Sequence, residues 1–333
     1  MSELPLIVEA LLRERAEPAV LATLVAVEGS SYRRPGARLL LLPDGSHLGS
    51  ISGGCLEEDL KEHARRVLQT GRAETIVYDT TTENDLVWGV GLGCQGVVRV
   101  FLEPVSAAAP GWVLALRTNL AARRPTELLV DHRGVAPTGT QVGESAATTH
   151  PAGLTTVFRE TILPPPALVV FGAGDDAVPL VRFAKLLGWS ATVADARAAY
   201  ATPQRFPAAE RLVVAPAGEQ AQPVVFDSRT FAVVMTHRYR DDLALLRALL
   251  PSAVPYLGLL GPRKRTQRLL AELEREGFVP PPEALAKLHA PVGLDLGGTA
   301  PETVALAIVA EIQARLAGRG GGFLRERAGA IHG

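Results

Sequence analysis

The sequence predicts an α/β protein, with a doubly wound parallel sheet in its C-terminal part and a smaller α+β domain before it. Three observations carry this. Strand and helix patterns alternate from residue 167 to 318. A glycine turn, "VVFGAGDDA", opens that alternation. Residues 1–104 follow another order, several strands with few helices. With 333 residues the chain is long enough for more than one domain.

Taken in order, residues 4–12 space Leu4, Ile7, Val8, Leu11 and Leu12 as one face of a helix, with charges between them. The segment lacks the basic start and unbroken apolar core of a signal peptide. "AVLATLVAVE" at 19–28 is a buried-strand pattern, and "GSSYRRPGAR" follows as a loop. "RLLLLPDGSHLGSIS" reads as two strands joined at Pro-Asp-Gly. Leu56, Leu60, Ala64, Val67 and Leu68 restore helical spacing, and Gly71 closes that helix. "ETIVYDT" and "GVVRVFLEP" are two more strands. Residues 105–166 are turn-rich and weakly periodic, and are expected to be a connecting region with short strands at "TELLVDHRG" and "TTVFRET". Pro164–Pro166 stiffen the entry to the next domain.

From there "ALVVFGAG", "SATVADAR", "RLVVAPAG", "FAVVMTHR" and "PYLGLLGP" are strands. Residues 176–187, "DDLALLRALL", "RKRTQRLLAELEREG" and "PETVALAIVAEIQARLAG" are helices. The expected domains are therefore 1–104, a connector at 105–166, a sheet domain at 167–318, and a mobile tail at 319–333.

Composition narrows the function. There are 34 Lys and Arg against 35 Asp and Glu, so no basic excess points to nucleic acid. No uncharged apolar run approaches the roughly 18 residues of a membrane span. Only two cysteines and no signal segment fit a cytoplasmic protein.

Gly172, Gly174 and Ala177 occupy the positions of the G-x-G-x-x-(G/A) fingerprint, between a strand and a helix. The first glycine serves the tight turn and the second lets a phosphate approach the backbone. The small third residue lets helix and strand pack closely. The domain is thus Rossmann-like. Asp195 ends the next strand, where a ribose-binding carboxylate belongs, which favours NAD over NADP if a dinucleotide binds. Asp175 and Asp176 suit the positive end of the helix dipole but would repel a pyrophosphate there. His237, at a strand end, is a cofactor-site candidate or a capped structural histidine.

The two cysteines stand among glycines, in "GSISGGCLEED" and "GLGCQG". Cys55 falls in what reads as the first turn of a helix, a setting that favours a thiolate. Gly53 and Gly54 before it admit a bulky group. Two thiols are too few for a closed zinc site; Cys55 and Cys94, expected to lie near one another, either are buried cysteines acting as small apolar residues or, as their glycine-flanked loops favour, point to soft-metal or sulfur chemistry. Ser30, Ser31, Arg33, Arg34 and Arg38 in "GSSYRRPGAR" offer charge-assisted bonds to a phosphate.

These motifs together resemble the XdhC/CoxI family, the accessory proteins that mature xanthine dehydrogenase and related molybdenum hydroxylases. "GSSYRRPGAR", "GSISGGCLEED" and "GLGCQG" look like its N-terminal motifs. "VVFGAG", "VADAR", "VVMTHRYRDD", "YLGLLGPRKR" and "GLDLGGTAPETVALAIVAEIQA" look like those of its Rossmann part. Two departures stand out: Asp175 where the family commonly has His, and Gln95 where it commonly has Gly.

The resemblance implies a chaperone that binds the molybdenum cofactor, in molybdopterin or dinucleotide form. It would protect the cofactor, assist its sulfuration, and insert it into a hydroxylase of the xanthine dehydrogenase type. It implies Cys55 and Cys94 as molybdenum or sulfur contacts. Gly53, Gly54, Ser30, Arg33, Arg34, Arg38, Gly172, Gly174, Asp195 and His237 would be cofactor-binding positions. Its expected partners are the hydroxylase, a cysteine desulfurase and a second copy of the chain, with no nucleic acid and no membrane. Two other readings stay open: an NAD-dependent oxidoreductase, and a scaffold that only docks the dehydrogenase and the desulfurase.

Overall fold

The computed structural model describes residues 3–29, 31–79, 96–133, 138–143 and 156–328. The chain divides into two compact units that meet in sequence at Pro164 and Pro165.

The N-terminal unit is built on a five-stranded antiparallel sheet. Its strands are β1 (Ala19–Gly29), β2 (Arg38–Leu41), β3 (His47–Gly49), β4 (Glu74–Asp79) and β5 (Gly96–Val105), in the order β3-β2-β1-β5-β4. β1 is buried along most of its length because both faces of it are covered. Val20, Ala22 and Leu24 pack with Leu60, Ala64 and Val67 of helix α2 (Glu57–Thr70). Ala19 and Leu21, one residue out of phase, pack with Ile7 and Leu11 of α1 (Glu3–Leu12) and with Val113 and Leu116 of α3 (Gly111–Ala121). The period of two along the strand thus assigns each side chain to one helical layer.

Residues 105–166 hold more structure than their weak periodicity predicts. α3 lies there, followed by a three-stranded antiparallel sheet of β6 (Thr126–Asp131), β7 (Gly139–Val142) and β8 (Val157–Ile162) in the order β7-β6-β8. Leu128 of β6 joins the core under α1 and α3.

Two buried polar links tie the small sheet to the large one. Arg38 on β2, only 2% exposed, pairs with Glu160 on β8. Glu103 on β5 accepts a hydrogen bond from the Thr140 N–H on β7 at 2.8 Å and another from the Thr140 hydroxyl. Burial pushes the Glu103 carboxyl above the ordinary range, against the pull of the Thr140 bonds and of Arg38.

The C-terminal unit carries a six-stranded sheet in the order β11-β10-β9-β12-β13-β14, every pairing parallel. Its strands are β9 (Ala167–Phe171), β10 (Ser190–Asp195), β11 (Arg211–Val214), β12 (Thr230–Val234), β13 (Tyr256–Leu259) and the short β14 (Leu288–His289). The helices are α4 (Ala177–Leu186), α5 (Tyr239–Leu249), α6 (Arg263–Arg275), the short α7 (Pro282–Ala286) and α8 (Pro301–Leu316). Leu168 and Val170 of β9 face the core with α4 and α8, while Val169 and Phe171 face the core with α5 and α6. This is the doubly wound Rossmann arrangement. The chain runs outward from β9 through β10 to β11, then returns past β9 to β12, so the direction of winding reverses between β9 and β12. Ligands bind such sheets at the carboxyl ends of the strands beside that reversal.

Breaking the buried Arg38–Glu160 pair by Arg38→Met should destabilise the N-terminal unit by about 3 kcal/mol, because Glu160 is left without its counter-charge. Removing both charges with Glu160→Leu should restore much of that loss. Denaturant titration of the two variants checks the difference.

Candidate functional site

At the end of β9, the Phe171 carbonyl accepts from the Met235 N–H, and the Gly172 N–H donates to the Ala194 carbonyl, both at 2.8 Å. Gly172 has φ +114°, and a Cβ there would sit 2.5 Å from the Met235 carbonyl oxygen. The fold therefore requires glycine at 172. Gly174 is different. Its φ is not in the left-handed region, and a Cβ would meet only Asp176 Oδ1 at 3.4 Å and His237 atoms at 3.8 Å or more, which are ordinary contacts. Nothing in the packing explains the missing side chain at 174.

His237, just past β12, is one of two non-glycine residues with positive φ among the described residues, at +59°. Its neighbours hold it there. The Thr236 hydroxyl donates to Asp242 Oδ1 at 2.5 Å and accepts from the Arg238 N–H at 3.0 Å. Asp242, 1% exposed at the start of α5, is clamped in turn by the Arg265 Nε and Nη2 atoms at 3.1 and 2.6 Å. His237 is half-exposed, and its Nε2 lies 2.8 Å from Asp176 Oδ2. A backbone strain of this kind, over-determined by a buried network beside a glycine turn, is a common mark of a working site.

The other acidic residue of the turn, Asp175, takes a hydrogen bond from Arg205 at 2.8 Å. Neither Asp175 nor Asp176 caps α4 through its side chain. Asp175 thus has a cationic partner, which offsets in part the repulsion of a phosphate expected from the sequence, while Asp176 is engaged by the His237 ring. The Arg205 and Arg197 guanidinium carbons lie 5.2 and 3.9 Å from the centroid of the Tyr200 ring.

Asp195 has a different task from the one expected. It is 5% exposed, and each carboxylate oxygen takes two hydrogen bonds. Oδ2 accepts from the Ala173 N–H at 2.7 Å and from Arg197 Nη2 at 2.8 Å. Oδ1 accepts from the Arg197 N–H at 2.8 Å and from Arg197 Nε at 2.9 Å. Burial alone would push this carboxyl up, but the Arg197 side chain and the two amides outweigh it and hold it below the usual range. About four lone pairs are thus filled, three of the bonds coming from Arg197, so a ribose hydroxyl at this carboxylate competes with that arginine. The same carboxylate instead ties the glycine turn to the end of β10.

In the N-terminal unit the cysteine loop folds around Glu57. Its Oε1 accepts from the Ser50 hydroxyl and from the Ile51 and Ser52 amides at 2.8, 3.0 and 3.0 Å. Its Oε2 accepts from the Ser52 hydroxyl and from the Gly54 and Leu56 amides at 2.6, 2.9 and 3.2 Å. Burial works against the charge, yet these bonds prevail and hold the Glu57 carboxyl down at about 2. Helix α2 starts only at Glu57, so Cys55 lies in the loop and not in the first turn. The cysteine is exposed. The Tyr32 ring packs on Gly53, where a Cβ would come within 2.9 Å of it, so the loops at 32 and 53 meet.

The phosphate-binding cluster expected in the first of those loops is thinner in the structure. Arg38 is interior, paired with Glu160. Arg33 pairs with Glu3 at 2.5 Å, and Arg34 is exposed. Ser30 and Cys94 lie outside the described residues, and with Cys94 the expected proximity of the two thiols. Among the described residues, no group of three or more His, Cys, Asp or Glu side chains is placed to hold a metal ion, and no helix is long and apolar enough to cross a membrane. Sequence reasoning missed Glu57, Arg197 and Arg205. The run of two serines and two glycines before an acidic helix start signals the first, and the Asp-x-Arg spacing signals the second.

The model of the XdhC and CoxI family matches residues 12–79, and that of the XdhC Rossmann domain matches residues 168–312. A Bacillus subtilis protein described as a probable xanthine dehydrogenase subunit is 34% identical, over 90% of this chain and 94% of its own. The chain belongs to the XdhC and CoxI family. Another relative, the molybdenum cofactor insertion chaperone PaoD of Escherichia coli, is 27% identical over 92% of this chain and 85% of its own. Among solved structures, one described as a xanthine dehydrogenase from Bacillus halodurans aligns over 98% of both chains with a TM-score of 0.79 and 31% identity.

Two outcomes follow from the local geometry. Gly172→Ala should cost about 1–3 kcal/mol through strain and the clash with Met235, whereas Gly174→Ala should stay within about 0.5 kcal/mol of the parent; thermal unfolding of the pair checks the contrast. Glu57, held below its ordinary value of 4.5, contributes stability that is fully present above pH 4.5 and is lost as pH falls toward 2. The stability gap between the parent and Glu57→Gln should therefore close across that window. A gap independent of pH would show that the carboxylate charge is not what holds the loop.

Proposed function

We propose that the chain is a carrier and insertion chaperone for the molybdenum cofactor, which it takes as cargo and passes to a hydroxylase of the xanthine dehydrogenase type. The observation that carries the reading is Gly174. The packing leaves that position free to bear a side chain, and a phosphate lying against the turn would not. The name of the relative PaoD, similar along nearly the whole chain, supports the choice of cargo.

Each unit, taken by itself, carries groups that suit a part of such a cargo. The Gly172–Gly174 turn at the head of α4, with Arg205 and Arg197 beside it, takes the phosphate end. Cys55, exposed on a loop locked by Glu57, offers a soft sulfur ligand to a metal–dithiolene centre. In this reading the same thiol assists sulfuration, with a cysteine desulfurase as the donor partner, and Cys94 works with it. The oxidoreductase reading is the less favoured one, since Asp195 already takes hydrogen bonds from Ala173 and Arg197.

The test is the content of protein purified from cells with and without cofactor synthesis. Molybdenum and pterin, measured by mass spectrometry, should approach one per chain in the first preparation only. Gly174→Val and Cys55→Ser should each lower that content several-fold while circular dichroism stays unchanged. Equal molybdenum and pterin in both preparations would overturn the proposal. Full retention and full activation of apo-hydroxylase by Cys55→Ser would remove the thiol from the mechanism.

A further inference from the structure

One face of the C-terminal sheet is covered by α4 and α8. A helix in such an outer layer needs an apolar stripe toward the sheet and a polar face toward solvent. Helix α6, on the other face of the sheet, follows this pattern, with Arg263, Lys264, Gln267, Arg268 and Glu274 exposed. Helix α8 does not. Residues 304–310 read "VALAIVA", seven residues and almost two turns without a polar side chain. Ala305, Ile308 and Val309 of this run are buried in the core, whereas Leu306 is 49% exposed. Helix α4 departs from the pattern too: Leu186 is 65% exposed, and Leu187, just past its end, 44%.

Between the two helices lies an open groove of about 470 Å³. Val178, Pro179, Phe183 and Leu186 of α4 and Pro301 of α8 give it apolar walls. Its charged lining residues are Asp175, Arg182 and Glu302. Asp175 is held by Arg205. Arg182 on α4 and Glu302 on α8 are exposed, and among the described residues no ion pair joins either to another side chain. Single exposed leucines are ordinary on a protein surface, but an apolar hollow with several beside it marks a contact face. This face also complements itself. In a two-fold contact, if one residue meets a second across the axis, the second meets the first. A groove with a free cation on one wall and a free anion on the other meets that condition with two ion pairs and no like-charge contact.

We propose that two copies of the chain associate through this face of α4 and α8, as a two-fold pair. Arg182 of each copy lies on Glu302 of the partner subunit, and Leu186 and Leu306 are covered between them. The four helices, two from each copy, then form one layered core between the two sheets, and the all-round apolar run of α8 is buried on both sides. A partner of another kind must bring its own matching pair of charges on an apolar ridge, whereas a second copy already carries both. The inference is independent of the nature of the cargo.

Sedimentation velocity of the full chain over a concentration series tests this. The parent should run with the mass of two chains and fall to one on dilution. Arg182→Glu sets like charges against each other at both contacts and should weaken the association at least about tenfold, as should Glu302→Arg. The double variant Arg182→Glu, Glu302→Arg restores opposite charges in exchanged places and should recover the dimer. Leu186→Asp, which puts a charge on the apolar wall, should leave single chains at the same concentrations. All these positions are exposed, and circular dichroism checks that each variant is folded. A parent that stays a single chain throughout the series would overturn the proposal. So would a dimer indifferent to Arg182→Glu and Leu186→Asp, or a double variant as weak as the single ones. The parent series stands even where a variant does not fold.

Discussion

The close approach of β9 to β12 at Gly172 is the constraint on which the C-terminal unit turns. With φ at +114° and the Met235 carbonyl where a side chain would be, the backbone passes between two neighbouring strands with no room to spare. That passage fixes the direction in which α4 leaves the sheet. It also sets the spacing between the turn and the segment Thr236–Arg238, and so brings His237 within reach of Asp176. The same turn is tied to β10 by Asp195 and to the loop beyond it by Arg205, which donates to the Ala173 carbonyl at 3.3 Å. Three strands therefore contribute to one edge through backbone contacts first and side chains second.

Charge at that edge is organised by pairing. Asp175, Asp176, Asp195, Asp241 and Asp242 each face a cationic or protonatable partner: Arg205, His237, Arg197, Arg238 and Arg265 in turn. The exposed pairs add little stability, on the order of 0–1 kcal/mol each. Their effect is to orient. Asp176 turns the imidazole toward the glycine turn, and Asp195 holds the Arg197 guanidinium above Tyr200. The pair formed by Asp242 and Arg265 is of another kind, since the carboxylate is buried and two guanidinium nitrogens reach it. It supports the left-handed backbone one residue after Thr236.

How much of this the sequence discloses depends on the range over which each feature is encoded. The alternation of β9, α4 and β10 is local, and hydrophobic period together with the glycine fingerprint placed it. The two loops that meet at Tyr32 and Gly53 were legible as motifs, though their contact was not. Helix α3 escaped because Pro110 and Gly111 read as a turn, although Pro is also a frequent opener and Trp112, Val113, Leu116 and Leu120 keep helical spacing. Arg38 looked like a loop cation because its partner lies 122 residues further on. Nothing near position 38 shows that the strand carries it inward. Asp195 stood where a ribose ligand belongs, and only the hydrogen bonds reveal that Arg197, two residues later, had claimed it.

Glu57 has a consequence for the thiol loop that reaches beyond stability. The amides of Ile51, Ser52, Gly54 and Leu56 converge as they would on a bound anion, and a carboxylate from the same short segment already fills the place. A phosphate or chloride from solution must displace a competitor tethered within a few residues, whose effective concentration is of millimolar order or above. The loop is thereby made indifferent to the anions of its surroundings. What it leaves exposed is Cys55, a thiol on a loop whose converging amides are already occupied.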